Sequence, residues 1–342
     1  MDITSIRYIN MTRNWDRSLF MRLLLKSVPY KVVRCPGVRF DASNNKYDKY
    51  LKYDVSANLK GEDKHRCNGV IGCWIAHSRA LESIKEREGV TVILEDDFVC
   101  KNNFFDDALK MLNSFDKDFD IIVFDPSGKG PFGMHKVAEN IYSPHRYSYP
   151  FYYGSHCLFV RNDRIPKILE TKLNSQITDY DGWVLCDTRI DSYVFYTGAC
   201  AVRFTGSDIT PGFKKRYELP DMLMCLLPHT LREKSWRFSR YFYEREEKHV
   251  SLAEQELAAF EGCYRYSEQS HMMIRMISKN SRSMLMVSWD DQNEVIHPMS
   301  EVDFLAERFP IDIKFTKAEN GKISAVLIGN KFLFQKTGSG RV

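Results

Sequence analysis

One stretch of the chain constrains its fold more than any other: the apolar run at residues 91–94 (Thr-Val-Ile-Leu), which ends directly in Glu95, Asp96 and Asp97. A run without polar alternation is typical of a strand that helices bury on both faces. The preceding segment carries an apolar stripe at helical spacing, made of Ile71, Trp74, Ile75, Leu81 and Ile84. A helix followed by a buried strand favours an α/β fold with parallel strands.

The same alternation fills the first two thirds of the chain. A strand at 6–9, a helix capped by Asn14 and a strand at 30–33 make an opening β-α-β unit. The side chains predicted to face the core from this helix are Leu19, Leu23 and Leu24. Further predicted elements are a loop at 41–66 with room for short elements, a helix at 104–112, a strand at 120–124, a Gly/Pro-rich loop at 126–150, a strand at 156–160 and a helix at 163–173.

The last hundred residues follow a different pattern, with short alternating runs at 283–289, 311–316, 323–328 and 331–335. Turn residues at 319–322 and 329–330 predict hairpins between the last runs. We therefore predict an α/β domain over 1–248, including a connecting helix at about 229–248, and a small antiparallel barrel-like β domain over 252–337.

Charge and cysteine content exclude several classes of protein. Lys and Arg number 49 against 45 Asp and Glu, a net charge of +4, so a binder of nucleic acid is not favoured.

The first seven residues lack a signal-peptide core and the longest apolar run, 222–227, is too short to span a membrane, which predicts a cytoplasmic protein. The nine cysteines never form a C-x-x-C pair, so we expect free thiols such as Cys157 in the core.

The acid triplet is the strongest candidate for a functional site. Ligands of open α/β sheets bind beyond the carboxyl ends of the strands, where Glu95, Asp96 and Asp97 lie. Three adjacent carboxylates repel one another unless a cation compensates, and such oxygen ligands suit Mg²⁺ or Mn²⁺. The alternative is a solvated acidic turn that caps the following helix.

Five blocks of the chain carry a resemblance. In order, they are residues 8–17 (Tyr-Ile-Asn-Met-Thr-Arg-Asn-Trp-Asp-Arg), 72–77 (Gly-Cys-Trp-Ile-Ala-His), 92–97 (Val-Ile-Leu-Glu-Asp-Asp), 154–161 (Gly-Ser-His-Cys-Leu-Phe-Val-Arg) and 207–209 (Ser-Asp-Ile). Together they resemble successive motifs of glycosyltransferase family 25 over about residues 4–212. The family includes bacterial lipooligosaccharide galactosyltransferases, and the procollagen galactosyltransferases are relatives.

The resemblance implies a GT-A domain, a Rossmann-like fold that binds a nucleotide sugar. It further implies a UDP-sugar donor, a glycan or lipid-linked glycan acceptor as in lipopolysaccharide or other polysaccharide biosynthesis, and Mn²⁺ or Mg²⁺. By the same resemblance, Asp97 and Glu95 hold the metal and Asp96 contacts ribose or sugar. The remaining residues implied to contact the donor are Asn10, Arg13, Arg17, His77, Ser207 and Asp208. The alternative for Arg13 and Arg17 is a solvated helix face.

Residues 178–184 match the part of the family pattern that carries an aspartate on the acceptor side. Asp181 fits best as the general base of an inverting transfer, whereas Asp179 is either that base in a shifted register or a helix cap. Trp183 suits a sugar-stacking surface or the core equally well. The weaker candidates are Asp187 and Asp191, which are solvated or paired with Arg189.

The chain departs from the family pattern at one position near His77, and two further segments follow the matched blocks. His77 is predicted to be a core histidine that holds its helix near the donor site, and Ala76 stands where the family has a serine. Basic and aromatic residues alternate at 231–248, as in a connecting helix or a peripheral contact with an anionic membrane. The β domain is similar to the small lipocalin-like domain appended to β-lactamase-related proteins, and could bind acceptor, dimerise or cover the transferase domain.

Three functions are compatible with these residues. The first is a metal-dependent glycosyltransferase. The second is a phosphoester hydrolase. Such an enzyme is expected to carry a cluster of His and Asp with the spacing of a two-metal site, and the sequence shows no such cluster beside the acid triplet. The third is a transferase-like domain that binds nucleotide or sugar without turnover.

Overall fold

The computed structural model describes residues 1–43, 45–60, 62–128, 134–144, 152–202, 250–267, 270–279, 282–289, 292–306, 312–328 and 332–338. The chain divides into an α/β unit, Met1–Pro126 with Tyr153–Phe242, and a barrel unit, Ser127–Tyr152 with Tyr243–Val342. The predicted connecting helix at 229–248 and the turn at 329–330 lie outside the described residues.

The helices are α1 (Trp15–Leu24), α2 (Ala57–Lys60), α3 (Lys64–Glu82), α4 (Phe104–Ser114), α5 (Ile165–Leu173), α6 (Tyr180–Cys186) and α7 (Glu254–Ala258). The strands up to residue 202 are β1 (Ile3–Asn10), β2 (Val32–Pro36), β3 (Val90–Glu95), β4 (Phe98–Cys100), β5 (Ile121–Phe124), β6 (Ser127–Gly128), β7 (Met134–Ala138), β8 (Ile141–Pro144), β9 (Tyr152–Tyr153), β10 (Cys157–Arg161), β11 (Ser192–Phe195) and β12 (Cys200–Val202). The later strands are β13 (Gly262–Ser267), β14 (Ser270–Lys279), β15 (Arg282–Trp289), β16 (Gln292–Pro298), β17 (Asp303–Ala306), β18 (Asp312–Lys317), β19 (Ile323–Ile328) and β20 (Phe332–Gly338).

The α/β unit is built on a mixed sheet with the strand order β2-β1-β3-β10-β5-β11. β1 pairs with β2 and β3 in parallel, and β11 pairs with β5 in parallel. β10 runs antiparallel to both of its neighbours, β3 and β5. The predicted α/β class is confirmed, and the single reversed strand makes the sheet mixed rather than fully parallel.

The predicted core face of α1 is wrong in part. Leu19 is 38% exposed, whereas Phe20, Met21 and Leu24 are buried together with Arg17. These four positions recur at i, i+3, i+4 and i+7, so the buried stripe includes an arginine that a hydrophobic pattern does not count. Asn14 occupies the N-cap position, but its side chain accepts no capping hydrogen bond.

Both segments predicted as loops contain short elements, which the prediction allows at 41–66 but not at 126–150. The polar stretch at 41–66 holds a 3₁₀ helix (Asn45–Tyr50), α2 and the start of α3, where the Asp63 carboxylate accepts from the N–H groups of His65 and Arg66. The stretch at 126–150 holds the antiparallel pair β7 and β8, joined at a turn in which Asn140 has φ +57°. The prediction of a loop is therefore wrong for β7 and β8, because the turn-forming residues of 126–150 gave no signal of strands.

The barrel unit contains a closed antiparallel barrel of eight strands, β13 to β20, in which β20 pairs back onto β13. This confirms the predicted antiparallel module, although the alternating pattern did not reveal β13, β14, β16 and β17. Aromatic rings pack in its core. The ring centroid of Phe260 lies 5.0 Å from that of Phe304 and 4.6 Å from that of Phe315. At the predicted turn of 319–322, the N–H of Ala318 donates to the carbonyl of Lys322 over 2.8 Å.

The cysteines of the described residues are free, and Cys157 is fully buried, as predicted. Within the part of the chain that the structure describes, no helix combines the length and the hydropathy that a membrane span needs.

Candidate functional site

The carboxyl ends of β1 and β3 open into a pocket of about 640 Å³ in the α/β unit. Ile9 pairs with Glu95 in register, so the residues that follow the two strands meet at one edge of the sheet. The lining residues are Ile9, Met11, Arg13, Arg17, Gly37, Val38, Arg39, Phe40, Asp41, Lys64, His65, Asn68, Gly69, Gly72, Cys73, Ala76, His77, Glu95, Asp96 and Asp97. The predicted acid triplet and the opening block thus share one pocket.

Asp96 is bound on both carboxylate oxygens by protein groups. Its Oδ1 accepts from the Arg17 guanidinium at 2.7 Å, and its Oδ2 accepts from the Asn10 amide at 2.7 Å. The Asn10 oxygen accepts in turn from Arg34 at 2.9 Å. Both members of the Arg17–Asp96 pair are buried, so this pair braces α1 against the end of β3.

Glu95 contacts a different set of residues from Asp96. Its Oε1 accepts from the Ser155 hydroxyl at 2.5 Å and lies 3.3 Å from Nε2 of His77. Loss of hydration raises the pKa of Glu95, while the Ser155 hydrogen bond lowers it and the charge of Asp96 raises it. Ser155 belongs to the block at 154–161, so this motif supports the acidic one directly.

His77 is a buried histidine, as predicted, and its ring stacks on Tyr180 with centroids 3.8 Å apart. Burial holds the pKa of His77 well below its usual range, and the positive charge of Lys172 lowers it further. The imidazole is therefore neutral at physiological pH. Ala76 lines the same pocket with a methyl group.

Basic side chains also line the pocket, and the motifs did not indicate two of them, Arg39 and Lys64. Arg39 and Lys64 line it together with Arg13, opposite in charge to the acid triplet. Arg39 and Lys64 lie near the two ends of the polar stretch at 41–66, whose length was the one signal in the sequence. A pocket lined by both acidic and basic side chains suits an anionic ligand that carries a cation.

Asp181 lies at the start of α6 and is partly buried. Its Oδ2 accepts from the N–H of Gly154 at 2.8 Å and its Oδ1 accepts from the N–H of Gly182 at 3.0 Å. Desolvation raises its pKa to about 6, opposed by these hydrogen bonds and assisted by the charges of Asp179 and Glu95. A carboxyl with this pKa is ionised at neutral pH and remains a stronger base than an ordinary aspartate.

Asp179 occupies the N-cap position of α6 without a capping hydrogen bond, and both its oxygens lie 3.1 Å from the Arg66 guanidinium. Trp183 is a core residue, the second of its two predicted roles, because it is 3% exposed and its indole N–H donates to Ser175 and Asp187. Asp187 pairs with Arg189 as predicted, whereas Asp191 pairs with Lys167. Ser207 and Asp208 lie outside the described residues.

Behind the pocket, Lys172 is fully buried without an acidic partner among the described residues. Its Nζ donates to the carbonyl of Trp74 at 2.7 Å and lies 3.5 Å from the centre of the Trp74 ring. Burial lowers the pKa of Lys172 well below its usual range. This lysine fixes the middle of α3 beside His77, and no sequence motif indicated it.

The helix α3 reaches the pocket through a close backbone approach at Gly72. A Cβ at this position would lie 2.4 Å from the carbonyl oxygen of Val38, so only glycine fits without a shift. The approach places Cys73 and His77 on the wall of the pocket.

The donor atoms suit a hard divalent cation. Asp97 and Glu95 both line the pocket, and carboxylate oxygens are the ligands that Mn²⁺ and Mg²⁺ prefer. Asp96 is engaged by Arg17 and Asn10, and Oε1 of Glu95 is engaged by Ser155. Asp97 lines the same pocket and remains the predicted metal ligand.

No protein-family model matches the sequence, and no curated protein matches it. Among solved structures, the chain is similar to the glycosyltransferase GlyE of Streptococcus pneumoniae TIGR4, at 9% identity and a TM-score of 0.32 over 73% of this chain and 68% of that chain. The apo form of GlyE gives 10% identity and a TM-score of 0.26 over 74% and 67%. Likeness at this level carries no argument about fold or activity.

Proposed function

We propose that the chain is a metal-dependent glycosyltransferase of the family 25 type. It would transfer galactose or a similar hexose from a UDP-sugar to a hydroxyl of a glycan or lipid-linked glycan. One observation carries the proposal: the blocks at 8–17, 72–77 and 92–97 all contribute side chains to one pocket. The block at 154–161 supplies the groups that hold Glu95 and Asp181. Motifs far apart in the sequence thus converge on one site, as the resemblance implies.

The two charges of the pocket suit the diphosphate of the donor. Arg13, Arg39 and Lys64 line it and can pair with phosphate oxygens. Asp97, with Glu95 as the second carboxylate, would hold a divalent ion, which would stabilise the negative charge that develops on the leaving diphosphate. In this proposal the α/β unit is a GT-A domain, and Ser207 and Asp208 remain predicted donor contacts.

Asp181 is proposed as the general base for the acceptor. The acceptor hydroxyl oxygen forms a bond to the anomeric carbon while the bond from that carbon to the phosphate oxygen breaks, and UDP leaves. The proton of the hydroxyl passes to the Asp181 carboxylate, which the N–H groups of Gly154 and Gly182 orient. A single displacement of this kind inverts the configuration at the anomeric carbon.

Donor binding is the first test, measured as the shift in thermal unfolding with UDP in the presence of Mn²⁺ or of EDTA. Saturating UDP at 100 times its Kd stabilises a protein by about 2.7 kcal/mol, and we expect this shift only with the metal. Asp97→Asn should abolish the coupling, whereas Asp107→Asn, at an exposed ion pair with Lys110 on α4, should retain it. Equal stabilisation by UDP in EDTA would contradict the metal assignment.

Turnover is tested separately, by release of free UDP from UDP-sugars in the presence of glycan acceptors. Metal-dependent UDP release that requires an acceptor supports the transferase. Donor binding without release with any acceptor would instead favour a domain that binds nucleotide or sugar without turnover.

A further inference from the structure

Cys73 and His77 lie one helical turn apart on α3, and Glu95 ends the neighbouring strand β3. We propose that these three side chains form a binding site for Zn²⁺ or a similar thiolate-binding divalent cation. It shares Glu95 with the oxygen-ligand site proposed at Asp97 and differs from that site in using Cys73 and His77. The site does not depend on the glycosyltransferase proposal, because it is inferred from the positions of these three ligand groups.

The ligand atoms are already close together. Sγ of Cys73, a ring nitrogen of His77 and a carboxylate oxygen of Glu95 lie within 4.8 Å of one another. Tetrahedral zinc with bonds of 2.0–2.3 Å separates its ligands by roughly 3.3–3.8 Å. The distance from His77 Nε2 to Glu95 Oε1 is 3.3 Å, which is already a ligand–ligand spacing. Side-chain movements of about 1 Å would bring the three ligand atoms to the spacing that tetrahedral zinc requires.

The surrounding structure holds each ligand in place. The His77 ring is stacked on Tyr180, and the Ser155 hydroxyl donates to Glu95 as an outer-shell group of the kind that orients metal ligands. Cys73 follows Gly72, whose close approach to the Val38 carbonyl fixes this turn of α3. The ligands therefore sit on a helix and a strand rather than on loops, which favours a defined geometry.

The donor set discriminates between metals. A thiolate, an imidazole and a carboxylate suit Zn²⁺, whereas Mn²⁺ and Mg²⁺ prefer oxygen ligands alone. All three residues line the pocket, so a fourth coordination position is open to water or to a ligand. On binding, the Cys73 thiol releases its proton to solvent and its sulfur binds the metal, with no redox change.

The experiment uses the full chain, stripped of metal by a chelator and titrated with Co²⁺ as a spectroscopic probe. We expect one equivalent of Co²⁺ to give a thiolate-to-cobalt charge-transfer band together with the intense visible bands of tetrahedral cobalt. One equivalent of Zn²⁺ should then remove both. Absence of a charge-transfer band would overturn the proposal.

The variants assign the ligands. Cys73→Ser should abolish the charge-transfer band, whereas Cys67→Ser, on the same helix but with its thiol directed to the Leu59 carbonyl, should keep it. His77→Gln and Glu95→Gln should each weaken Zn²⁺ binding by more than about 10-fold. A band that survives in Cys73→Ser would place the thiolate elsewhere and overturn the assignment.

A further measurement separates this site from the one proposed at Asp97. Cys73→Ser, which keeps the pocket carboxylates, should retain the Mn²⁺-dependent response to UDP, and Asp97→Asn should retain the cobalt charge-transfer band. If Cys73→Ser loses both responses, the two metals use the same ligands and the proposal of a zinc site built on Cys73 and His77 is wrong. Failure of UDP to bind with the cobalt band intact would contradict the glycosyltransferase proposal alone.

Discussion

Glu95 and Asp181 are held by two consecutive residues: the Ser155 hydroxyl donates to Glu95 at 2.5 Å, and the N–H of Gly154 donates to Asp181 at 2.8 Å. One short segment before β10 therefore positions the proposed metal side and the proposed acceptor side of the site together. A shift of this segment would displace both carboxylates, so its conformation couples the donor and acceptor contacts.

The buried Arg17–Asp96 pair should dominate the stability of this end of the sheet. Arg17→Met removes the guanidinium that pairs with the buried Asp96 carboxylate, and loss of one member of a buried pair costs about 3–5 kcal/mol. The free energy of unfolding, from urea denaturation, measures this loss. Arg164→Met, at a more exposed pair with Asp118, should cost under about 1 kcal/mol. Equal effects of the two variants would contradict the structural role of Arg17.

His156 predicts a defined pH dependence of stability. It is fully buried, neither ring nitrogen has a hydrogen-bond partner in the described residues, and burial lowers its pKa to about 4. Because the unfolded chain binds the proton at about pH 6.5, this contribution to stability is complete above that pH and is lost as the pH falls towards 4. The shift amounts to roughly 3 kcal/mol at the acid end.

The check is the free energy of unfolding measured between pH 7 and pH 4. His156→Leu should flatten its decline, because leucine has no proton to bind. His65→Leu, at an exposed position, should leave the decline unchanged. An unaltered pH profile in His156→Leu would mean that this histidine is hydrogen-bonded or solvated in solution.

Much of the α/β framework could be predicted from the sequence because its strands and helices differ in period. The run at 91–94 and the stripe on α3 are long, uninterrupted patterns, and both elements form where predicted. The α1 face was misassigned because its buried stripe contains Arg17, whose burial depends on a partner 79 residues away in the chain. Pairings of that kind leave no local signal.

The site was predictable only where residues follow a strand or belong to a motif. Glu95, Asp96 and Asp97 could be placed because they end a buried strand, but the engagement of Asp96 by Asn10 and Arg17 could not. A lysine near the end of a helix is ordinarily expected at the surface, but Lys172 is buried against Trp74. Its role depends on packing between α3 and α5, which no sequence period encodes.

Gly72 should tolerate no side chain. Alanine favours a helix over glycine by about 1 kcal/mol, but its Cβ would meet the Val38 carbonyl oxygen at 2.4 Å, a backbone atom that cannot rotate away. We expect Gly72→Ala to destabilise the protein by about 1–3 kcal/mol, measured by thermal unfolding. Gly338→Ala, in open space on β20, should change stability by less than about 0.5 kcal/mol. A more stable Gly72→Ala variant would show that the chain at Val38 moves aside.

The ionised form of Asp181, which is the proposed base, should lower the free energy of unfolding because the carboxylate is buried. Its pKa is raised to about 6, so the folded chain holds a proton more tightly than the unfolded chain, and stability falls as the pH rises through 6. Asp181→Asn has no proton to bind, so it should remove this decline of the free energy of unfolding with rising pH. The same change removes the proposed base and should lower turnover by roughly 10²- to 10⁴-fold with UDP affinity unchanged.

Turnover of the wild-type protein, Asp181→Asn and Asp179→Asn, together with the configuration of the product, tests this prediction. Turnover of the wild-type protein should rise with pH through about 6, as the Asp181 carboxyl loses its proton. Asp179→Asn should keep turnover within about 10-fold, because Asp179 is neutralised by Arg66 and is not the proposed base. Loss of turnover in Asp179→Asn with wild-type turnover in Asp181→Asn would move the base by two residues along the chain. A product with the anomeric configuration of the donor, read from NMR coupling constants, would reject the single displacement for which Asp181 is proposed.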